Sequence, residues 1–166
     1  MQLEFLEETL KACKDEGIHT AVDTSGYISE SKIKRILPYT DLFLFDIKHL
    51  DPEMHKKYTG VSNSLILSNY NYILMQGKEV IVRIPVIPGY NDDKQHLSNL
   101  KDYFEAYKES NLLRIDLLPY HKIGSSKYKR FNLEYRMNNI NQPSEDRMIE
   151  LKRFFSQNGL SVKVGG

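Results

Sequence analysis

The chain has 166 residues, which is enough to bury one hydrophobic core, and we expect residues 1–166 to form a single domain. Its 23 Lys and Arg residues nearly balance 22 Asp and Glu residues, so charge does not favour nucleic acid or an anionic membrane as the main partner. No apolar run approaches the length of a membrane helix, and the single cysteine, Cys13, predicts a reducing, cytoplasmic location.

The first third of the chain alternates helix and strand. Apolar residues at three-and-four spacing predict an amphipathic helix over residues 3–16. A strand over residues 18–23 and a short helix ending at Pro38 follow. Residues 42–50 begin with an unbroken apolar and aromatic run, which predicts a strand buried on both faces of a parallel sheet.

The next segment contains a longer crossover. Asp51 is a predicted N-cap, followed by a first-turn proline and acid, and the short helix that it opens ends near Gly60. Ser62 is predicted to cap a second helix. Residues 80–86 are rich in β-branched side chains and predict a strand, in which Pro85 marks the end or an irregularity.

The last third follows the same alternation, with one interruption. Residues 97–107 predict a helix and residues 112–118 a strand. Residues 120–142 show no clean period, and because structureless loops of that length are uncommon, this segment is either functional or ordered by a partner. Residues 144–159 predict a last helix and residues 160–164 a short final strand.

Alternating strands and helices with short connections predict an α/β fold with parallel strands. The sequence contains four main strands and one short terminal strand. A closed eight-stranded barrel needs about 250 residues, so we expect an open sheet or a partial TIM-type barrel.

Each main strand ends in polar residues. Because the carboxyl ends of parallel strands lie on one rim of a sheet, we expect these side chains to converge there. Any one of them alone has an ordinary structural explanation, such as a turn cap or an ion pair, but their convergence predicts an active site. The residues are Asp23 and Thr24, Asp46 and Lys48, Arg83, and Tyr120 and His121.

Four segments resemble glycyl-radical enzyme activating enzymes, which are members of the radical S-adenosylmethionine superfamily. They are residues 17–27, 41–63, 83–92 and 117–121, and the likeness covers nearly the whole chain. The sequence is most similar to the pyruvate formate-lyase activating type of this family. The resemblance implies the carboxyl-terminal four core strands of a six-stranded partial barrel, plus the short terminal strand.

The resemblance also implies an activity, cofactors and partners. A 4Fe-4S cluster reductively cleaves S-adenosylmethionine, and the resulting 5′-deoxyadenosyl radical removes a hydrogen atom from a glycine of the partner enzyme. The expected partners are a glycyl-radical enzyme such as pyruvate formate-lyase and a reductant such as flavodoxin or ferredoxin. Neither nucleic acid nor a membrane is expected as a partner.

The family pattern assigns roles to individual residues. Asp46, Lys48, Arg83 and His121 are expected to bind S-adenosylmethionine, with His121 at its adenosine end. Asp23, Thr24 and Asp46 are expected to hold a monovalent cation beside the methionyl carboxylate. The physical reason is that a cation between two carboxylates offsets their mutual repulsion.

The sequence departs from the family at two motifs. It contains neither the Cys-x3-Cys-x2-Cys motif that binds the cluster nor the Gly-Gly-Glu segment for the substrate amino group. We therefore interpret it as the carboxyl-terminal two-thirds of an activating enzyme, and we expect no catalytic cluster ligand in this chain and no activity from it alone. The edge of the strand over residues 18–23 would be exposed, which predicts self-association.

Two alternatives stay open at the level of sequence. One is a catalytically inactive fragment that binds a protein partner through the segment 120–142, which contains Lys122, Lys127, Lys129 and Arg130. The other is a barrel aldolase that uses Lys48 as a Schiff-base amine.

Overall fold

The computed structural model describes residues 2–135, 137 and 139–166. The strands are β1 (Ala21–Thr24), β2 (Leu42–Asp46), β3 (Glu79–Val86), β4 (Leu112–Pro119) and β5 (Val162–Val164). The helices are α1 (Leu3–Asp15), α2 (Glu30–Ile36), α3 (Pro52–Thr59), α4 (Ser64–Met75), α5 (Lys94–Glu105), α6 (Ser125–Arg130) and α7 (Glu145–Ser156). Within these residues, no helix combines the length and apolar character needed to cross a membrane.

The strands form one open parallel sheet in the order β1-β2-β3-β4-β5. Because this is also the order along the chain, right-handed crossovers place the helices on one face. The predicted α/β fold of four core parallel strands and a short terminal strand is confirmed. The strand residues that join the helices in the core are Val22, Phe43, Phe45, Val80, Val82, Ile84, Val86, Leu112, Ile115 and Leu117.

The prediction that β2 is buried on both faces is wrong. Phe43 and Phe45 have no exposed surface, whereas Leu42 and Leu44 are only half-buried. Successive strand residues point to opposite faces, and among the described residues the helices cover one face of this open sheet. The second face of β2 is therefore accessible.

The first strand starts later than predicted, at Ala21 rather than Ile18. The N–H of Ile18 donates to the carbonyl of Cys13, and Gly17 has a φ of +68°, so these residues close α1. Ile18 is 55% exposed and makes no strand pairing. Ile18 therefore belongs to the C-terminal cap of α1 and not to the strand that was predicted to begin there.

The start and the end of α3 agree with the predicted caps. The Asp51 carboxylate accepts hydrogen bonds from the N–H groups of Glu53 and Met54, both at 2.9 Å. Gly60 follows the helix with a φ of +87°. These bonds satisfy N–H groups that have no partner inside the helix.

The start of α4 differs from the prediction, because its N-cap is Asn63 rather than Ser62. The Asn63 amide does not cap the helix but donates to the carbonyls of His49 and Leu50, at 2.8 and 2.6 Å. These bonds tie α4 to the segment that leaves β2. The Asn63 side chain therefore makes a contact between distant segments instead of capping its own helix.

Candidate active site

Strand register aligns polar side chains on the face that the helices leave accessible. Asp46 of β2 pairs with Arg83 of β3, and Arg83 pairs with Asp116 of β4. On β1, Asp23 pairs with Leu44, which lies two residues before Asp46 and so shares its face. Asp23, Asp46 and Arg83 thus lie close together near the carboxyl ends of three adjacent strands.

Arg83 joins the two predicted acids. Its Nε donates to Asp46 Oδ1 at 2.9 Å, and its Nη1 donates to Asp23 Oδ2 at 2.8 Å. Its Nη2 also contacts Asp23 Oδ1. Lys48 donates from Nζ to Asp46 Oδ2 at 3.1 Å. The structure therefore brings four predicted site residues into one hydrogen-bonded network, with Asp46 between two cations.

The network is partly open to solvent. The side chain of Asp23 is 60% exposed, while those of Asp46 and Arg83 are 24% and 19% exposed. Burial lowers the pKa of Arg83, but its contacts with Asp23 and Asp46 outweigh burial, and the net pKa is raised. Arg83 stays charged and provides the positive charge between two carboxylates that would otherwise repel each other.

Thr24 and His121 lie outside this network. Thr24 Oγ1 accepts a hydrogen bond from the N–H of Gly26 at 3.0 Å, and Thr24 follows Asp23 directly, so the two side chains point to opposite faces. His121 is exposed just after β4, on the same rim. The structure thus brings four of the six residues with predicted binding roles into one network of direct contacts.

Sequence reasoning missed a second charged pair on the same face. Asp116 is 2% exposed, and it accepts hydrogen bonds from Arg114 Nε at 2.7 Å and Arg114 Nη2 at 3.2 Å. A signal was present, because Arg114 and Asp116 alternate with apolar residues in an otherwise apolar strand. Asp116 therefore continues, on β4, the set of charged side chains that Asp23, Asp46 and Arg83 form across β1, β2 and β3.

Asn91 fastens the loop after β3 to the end of β2. It is 5% exposed, and its amide donates to the carbonyls of Lys48 at 3.1 Å and Pro85 at 2.6 Å. Its Oδ1 accepts from the N–H of Ile87 at 2.8 Å. The bond to the Lys48 carbonyl holds the backbone of Lys48, whose side chain reaches Asp46, and the other two bonds hold the loop after β3.

A cavity of about 640 Å³ lies beside this network, at the carboxyl ends of β2, β3 and β4. Its walls come from segments far apart in sequence, including the irregular segment after β4, so no local sequence pattern predicts it. The lining residues are Lys48, His49, His55, Lys57, Tyr58, Thr59, Ile87, Tyr90, Asn91, Tyr128, Leu133, Glu134, Tyr135 and Met137.

Two histidines stack beneath the cavity. The rings of His49 and His96 lie 3.8 Å apart and almost parallel, and both side chains are buried. Burial lowers the pKa of His96 to about 4, and it also lowers the pKa of His49. His49 Nδ1 accepts a hydrogen bond from the N–H of Asp51 at 3.0 Å. Both rings are therefore neutral at pH 7.

The residues of this chain do not fit an iron-sulfur cluster. Cys13, the single cysteine of the sequence, is half-buried near the end of α1 that leads to the amino end of β1. That end of the sheet is opposite the rim of Asp46. The described residues also contain no group of three or more His, Cys, Asp or Glu side chains that could hold a metal ion.

The fold and the polar rim define a class of protein. An open parallel sheet with helices on one face, and with charged side chains at the carboxyl ends of its strands, is a partial TIM-type barrel that presents a site at that rim. A family model described as the Radical SAM superfamily matches residues 1–117. The chain belongs to this superfamily, which implies S-adenosylmethionine and a 4Fe-4S cluster as cofactors of the complete enzymes.

Comparison with curated proteins identifies activating enzymes as relatives. A trans-4-hydroxy-L-proline dehydratase activating enzyme of Clostridioides difficile is 38% identical over 164 residues, covering 99% of this chain and 54% of the relative. A (2S)-3-sulfopropanediol dehydratase activating enzyme of Klebsiella oxytoca is 39% identical over 168 residues, covering 99% and 53%. The chain spans about half the length of these relatives.

A solved structure gives the same result. A domain of pyruvate-formate lyase-activating enzyme from Bacteroides vulgatus ATCC 8482 has a TM-score of 0.79 and 27% identity. The match covers 99% of this chain and 91% of that chain. The predicted likeness to glycyl-radical enzyme activating enzymes is confirmed.

Proposed function

We propose that this chain forms part of the S-adenosylmethionine-binding wall of a glycyl-radical enzyme activating enzyme. The observation that carries the proposal is the Asp46 carboxylate, held between Arg83 and Lys48 at the carboxyl ends of parallel strands. Membership of the radical SAM superfamily supports S-adenosylmethionine as the ligand.

The chemistry of the side chains suits this ligand. S-adenosylmethionine carries a carboxylate, an ammonium group and ribose hydroxyls. Lys48, with 37% of its side chain exposed, offers a positive charge to the carboxylate. Asp46 can accept from hydroxyl groups and Arg83 can donate. We assign the adenosine end to the exposed His121 on the same rim, as the family resemblance implies.

We propose Asp23, Thr24 and Asp46 as ligands of a monovalent cation, with Thr24 contributing its backbone carbonyl, because its hydroxyl lies on the opposite face and accepts from Gly26. Two carboxylates on one face favour this role. Arg83 already bridges these carboxylates, so cation binding requires its guanidinium to release Asp23. Potassium would then stabilise the Arg83→Gln variant against urea more than it stabilises the unaltered chain.

The proposed whole reaction needs components beyond this chain. A reduced 4Fe-4S cluster supplies the electron that cleaves the sulfonium of S-adenosylmethionine to a 5′-deoxyadenosyl radical. The sequence contains one cysteine, so we propose that the cluster ligands lie on a further polypeptide segment and that residues 1–166 alone are inactive. Iron and sulfide analysis after anaerobic reconstitution tests this, because a stoichiometric cluster on this chain would contradict it.

We propose a glycyl-radical enzyme as the partner, with flavodoxin or ferredoxin as the reductant and a cytoplasmic location. The two curated relatives are named for two different dehydratases, and the solved domain is named for pyruvate-formate lyase. Pyruvate formate-lyase is therefore one member of the proposed partner class. Pull-down with candidate enzymes of this class identifies which one binds.

We also propose association through the free edge of β1. This strand pairs only with β2 within the described sheet, so its other edge carries backbone groups available to another strand. Light scattering at high concentration tests the proposal, and a monodisperse monomer would count against it.

Ligand binding tests the central proposal. Titration of the chain with S-adenosylmethionine, followed by NMR, is expected to shift resonances of Asp46, Lys48 and Arg83. Asp46→Asn is expected to weaken binding at least tenfold, because it removes the charged acceptor for the hydroxyl groups of the ligand and the carboxylate that holds Lys48 and Arg83 in position. Asp15→Asn, at an exposed site on α1, is the matched control. Equal binding by both variants would refute the assignment of Asp46.

The aldolase alternative has less support. Lys48 donates to Asp46 and is partly exposed, whereas Schiff-base lysines are activated by desolvation or by another nearby cation. Borohydride trapping with an aldehyde is expected to leave Lys48 unmodified.

A further inference from the structure

The turn that follows β1 begins at two of the proposed cation ligands. Asp23 and Thr24 are the last residues of β1, and the chain then turns at Gly26. The N–H of Gly26 donates to Thr24 Oγ1 at 3.0 Å, and the N–H of Ile28 donates to the Gly26 carbonyl at 2.9 Å. We call residues 24–28 the β1 turn. Its shape sets where the Thr24 carbonyl and the Asp23 carboxylate lie at the rim.

Asn69 of α4 fastens the β1 turn to the core. Its Nδ2 donates to the carbonyl of Gly26 at 2.8 Å and to the carbonyl of Ile28 at 2.6 Å, so both N–H groups of the amide are used. The Asn69 side chain has no exposed surface. Because these bonds join residues 43 and 41 positions apart, they tie the rim of the sheet to a helix that packs beneath it.

The stability of α4 does not explain an asparagine at this position. Asparagine favours a helix less than alanine or leucine does. The Asn69 Oδ1 is buried with no hydrogen-bond partner among the described residues, which is unfavourable. The other buried residues of this helix are apolar or aromatic, namely Ile66, Tyr70, Ile73 and Leu74. The contribution of Asn69 is therefore its pair of bonds to the β1 turn.

The carboxyl end of β1 depends on such restraints. β1 has four residues and lies at the edge of the described sheet, and the end of a short edge strand opens easily unless side chains hold it. The buried Phe45 ring packs against Gly26, where an added Cβ would lie 2.1 Å from it. Phe45 directly precedes Asp46, the third proposed cation ligand. Asn69 and Phe45 together therefore set the position of the β1 turn relative to Asp46.

We propose that Asn69 is a positioning residue for the cation subsite, in which its two bonds hold the β1 turn so that the Thr24 carbonyl and the Asp23 carboxylate face Asp46. The proposal rests on the proposed function for the cation itself. Groups that orient the ligands of a metal ion raise its affinity by about ten- to a hundredfold. The reason is that ligands already held in place lose less freedom on binding. Asn69 lies behind the turn and acts through it.

Amide hydrogen exchange, followed by NMR without added potassium, tests whether Asn69 holds the turn. Asn69→Ala removes both donors. It is expected to speed exchange of the Gly26 and Ile28 amides by about tenfold or more relative to the amides of β3, because the turn then opens locally. Where Asn69→Ala does not fold, Asn69→Leu takes its place, since leucine fills the space of the amide and has no donor.

Asn71→Ala is the matched control. Asn71 lies two residues further along α4, and its Oδ1 accepts from the hydroxyls of Tyr103 and Tyr107 at 3.2 and 2.7 Å. These tyrosines lie at the end of α5 that leads back to the amino end of β4, opposite the rim. Asn71→Ala thus removes an amide with two hydrogen bonds from the same helix, and it is expected to leave exchange in the β1 turn unchanged.

Potassium-dependent stability tests whether the position of the turn matters for the cation. The free energy of unfolding in urea is measured for Arg83→Gln alone and combined with Asn69→Ala or Asn71→Ala. Potassium chloride is compared with tetramethylammonium chloride at the same ionic strength, because the larger cation does not fit between two carboxylates. A bound ion adds stability according to its concentration and dissociation constant, whereas a purely structural bond contributes equally in both salts. We expect Asn69→Ala to weaken potassium binding about tenfold and Asn71→Ala to leave it unchanged.

The proposal is overturned if the Gly26 and Ile28 amides exchange in Asn69→Ala as they do in Asn71→Ala. It is also overturned if potassium binds equally well to the two double variants. If potassium stabilises none of the Arg83→Gln chains, the cation assignment of the proposed function is refuted alone. Faster exchange in Asn69→Ala would then still support Asn69 as the residue that positions the turn after Asp23.

Discussion

The buried stack of His49 and His96 is expected to make the stability of the fold depend on pH between 7 and 5. The two rings are 6% and 5% exposed, and His96 Nε2 is buried with no hydrogen-bond partner among the described residues. Asp51 and Asp93 face the rings and favour protonation, while His55 opposes protonation of His49. Burial outweighs these charges.

The change in the free energy of unfolding with pH follows from the pKa of His96, which burial lowers from the ordinary value of 6.5 to about 4. The unfolded chain therefore binds more protons than the folded chain between these values, and stability falls as the pH falls through this window. One pKa unit corresponds to about 1.4 kcal/mol, so the total loss is about 3 kcal/mol below pH 4. About 2 kcal/mol of it is lost between pH 7 and pH 5.

Urea unfolding followed by circular dichroism measures this effect, since the sequence has no tryptophan to report by fluorescence. The free energy of unfolding of the unaltered chain and of His96→Leu is compared at pH 7, 6 and 5. Leucine has a similar volume and no titrating group. From pH 7 to pH 5, His96→Leu is therefore expected to lose about 2 kcal/mol less of its free energy of unfolding than the unaltered chain loses. His19→Asn, at an exposed site, is the control. The same loss in His96→Leu and the unaltered chain would refute the reasoning.

Three further changes test the geometry of the fold and the site. Gly26→Ala is expected to lower the free energy of unfolding by about 3 kcal/mol or more in urea. Gly26 has a φ of +70°, and an added Cβ would lie 2.1 Å from the buried Phe45 ring. Gly124→Ala, with open space around it, is the neutral control. Asn91→Ala is expected to cost about 2 to 4 kcal/mol in the same assay, because it leaves a buried N–H and two carbonyls without partners, whereas the exposed Asn99→Ala costs little. Arg83→Met is expected to cost about 1 to 2 kcal/mol at low salt and less at high salt, because salt screens the partly exposed ion pairs of Arg83 with Asp23 and Asp46. An equal cost at both salt concentrations would contradict the charge argument.

Most of the fold was predictable from the sequence because its signals are local. The spacing of apolar residues in α1, the cap at Asp51 and the β-branched run in β3 each depend on neighbouring residues alone. The errors at Ile18 and Ser62 arose where a local signal competed with another bond. Ile18 bonds to Cys13 and closes α1, and Asn63, the neighbour of Ser62, bonds to the backbone of His49 after β2.

The site was predictable in part for the same reason. Parallel strands align their carboxyl ends, so polar residues that follow apolar runs meet at one rim, as Asp46 and Arg83 do. The stacking of His49 on His96 and the cavity lined by tyrosines depend on how α3, α5 and the segment after β4 pack. His49 and His96 lie 47 positions apart, and Tyr58 and Tyr90 lie 32 positions apart, so no local spacing in the sequence encodes these contacts.

Fold and site depend on the same register of β2. Phe43 and Phe45 pack into the core with no exposed surface, while Leu44 and Asp46 point to the accessible face. Because side chains alternate, a slip of one residue would turn the phenylalanines towards solvent and bury the Asp46 carboxylate among apolar side chains. Burial of the two rings therefore also holds Asp46 opposite Arg83, so the hydrophobic core fixes the position of the charged network.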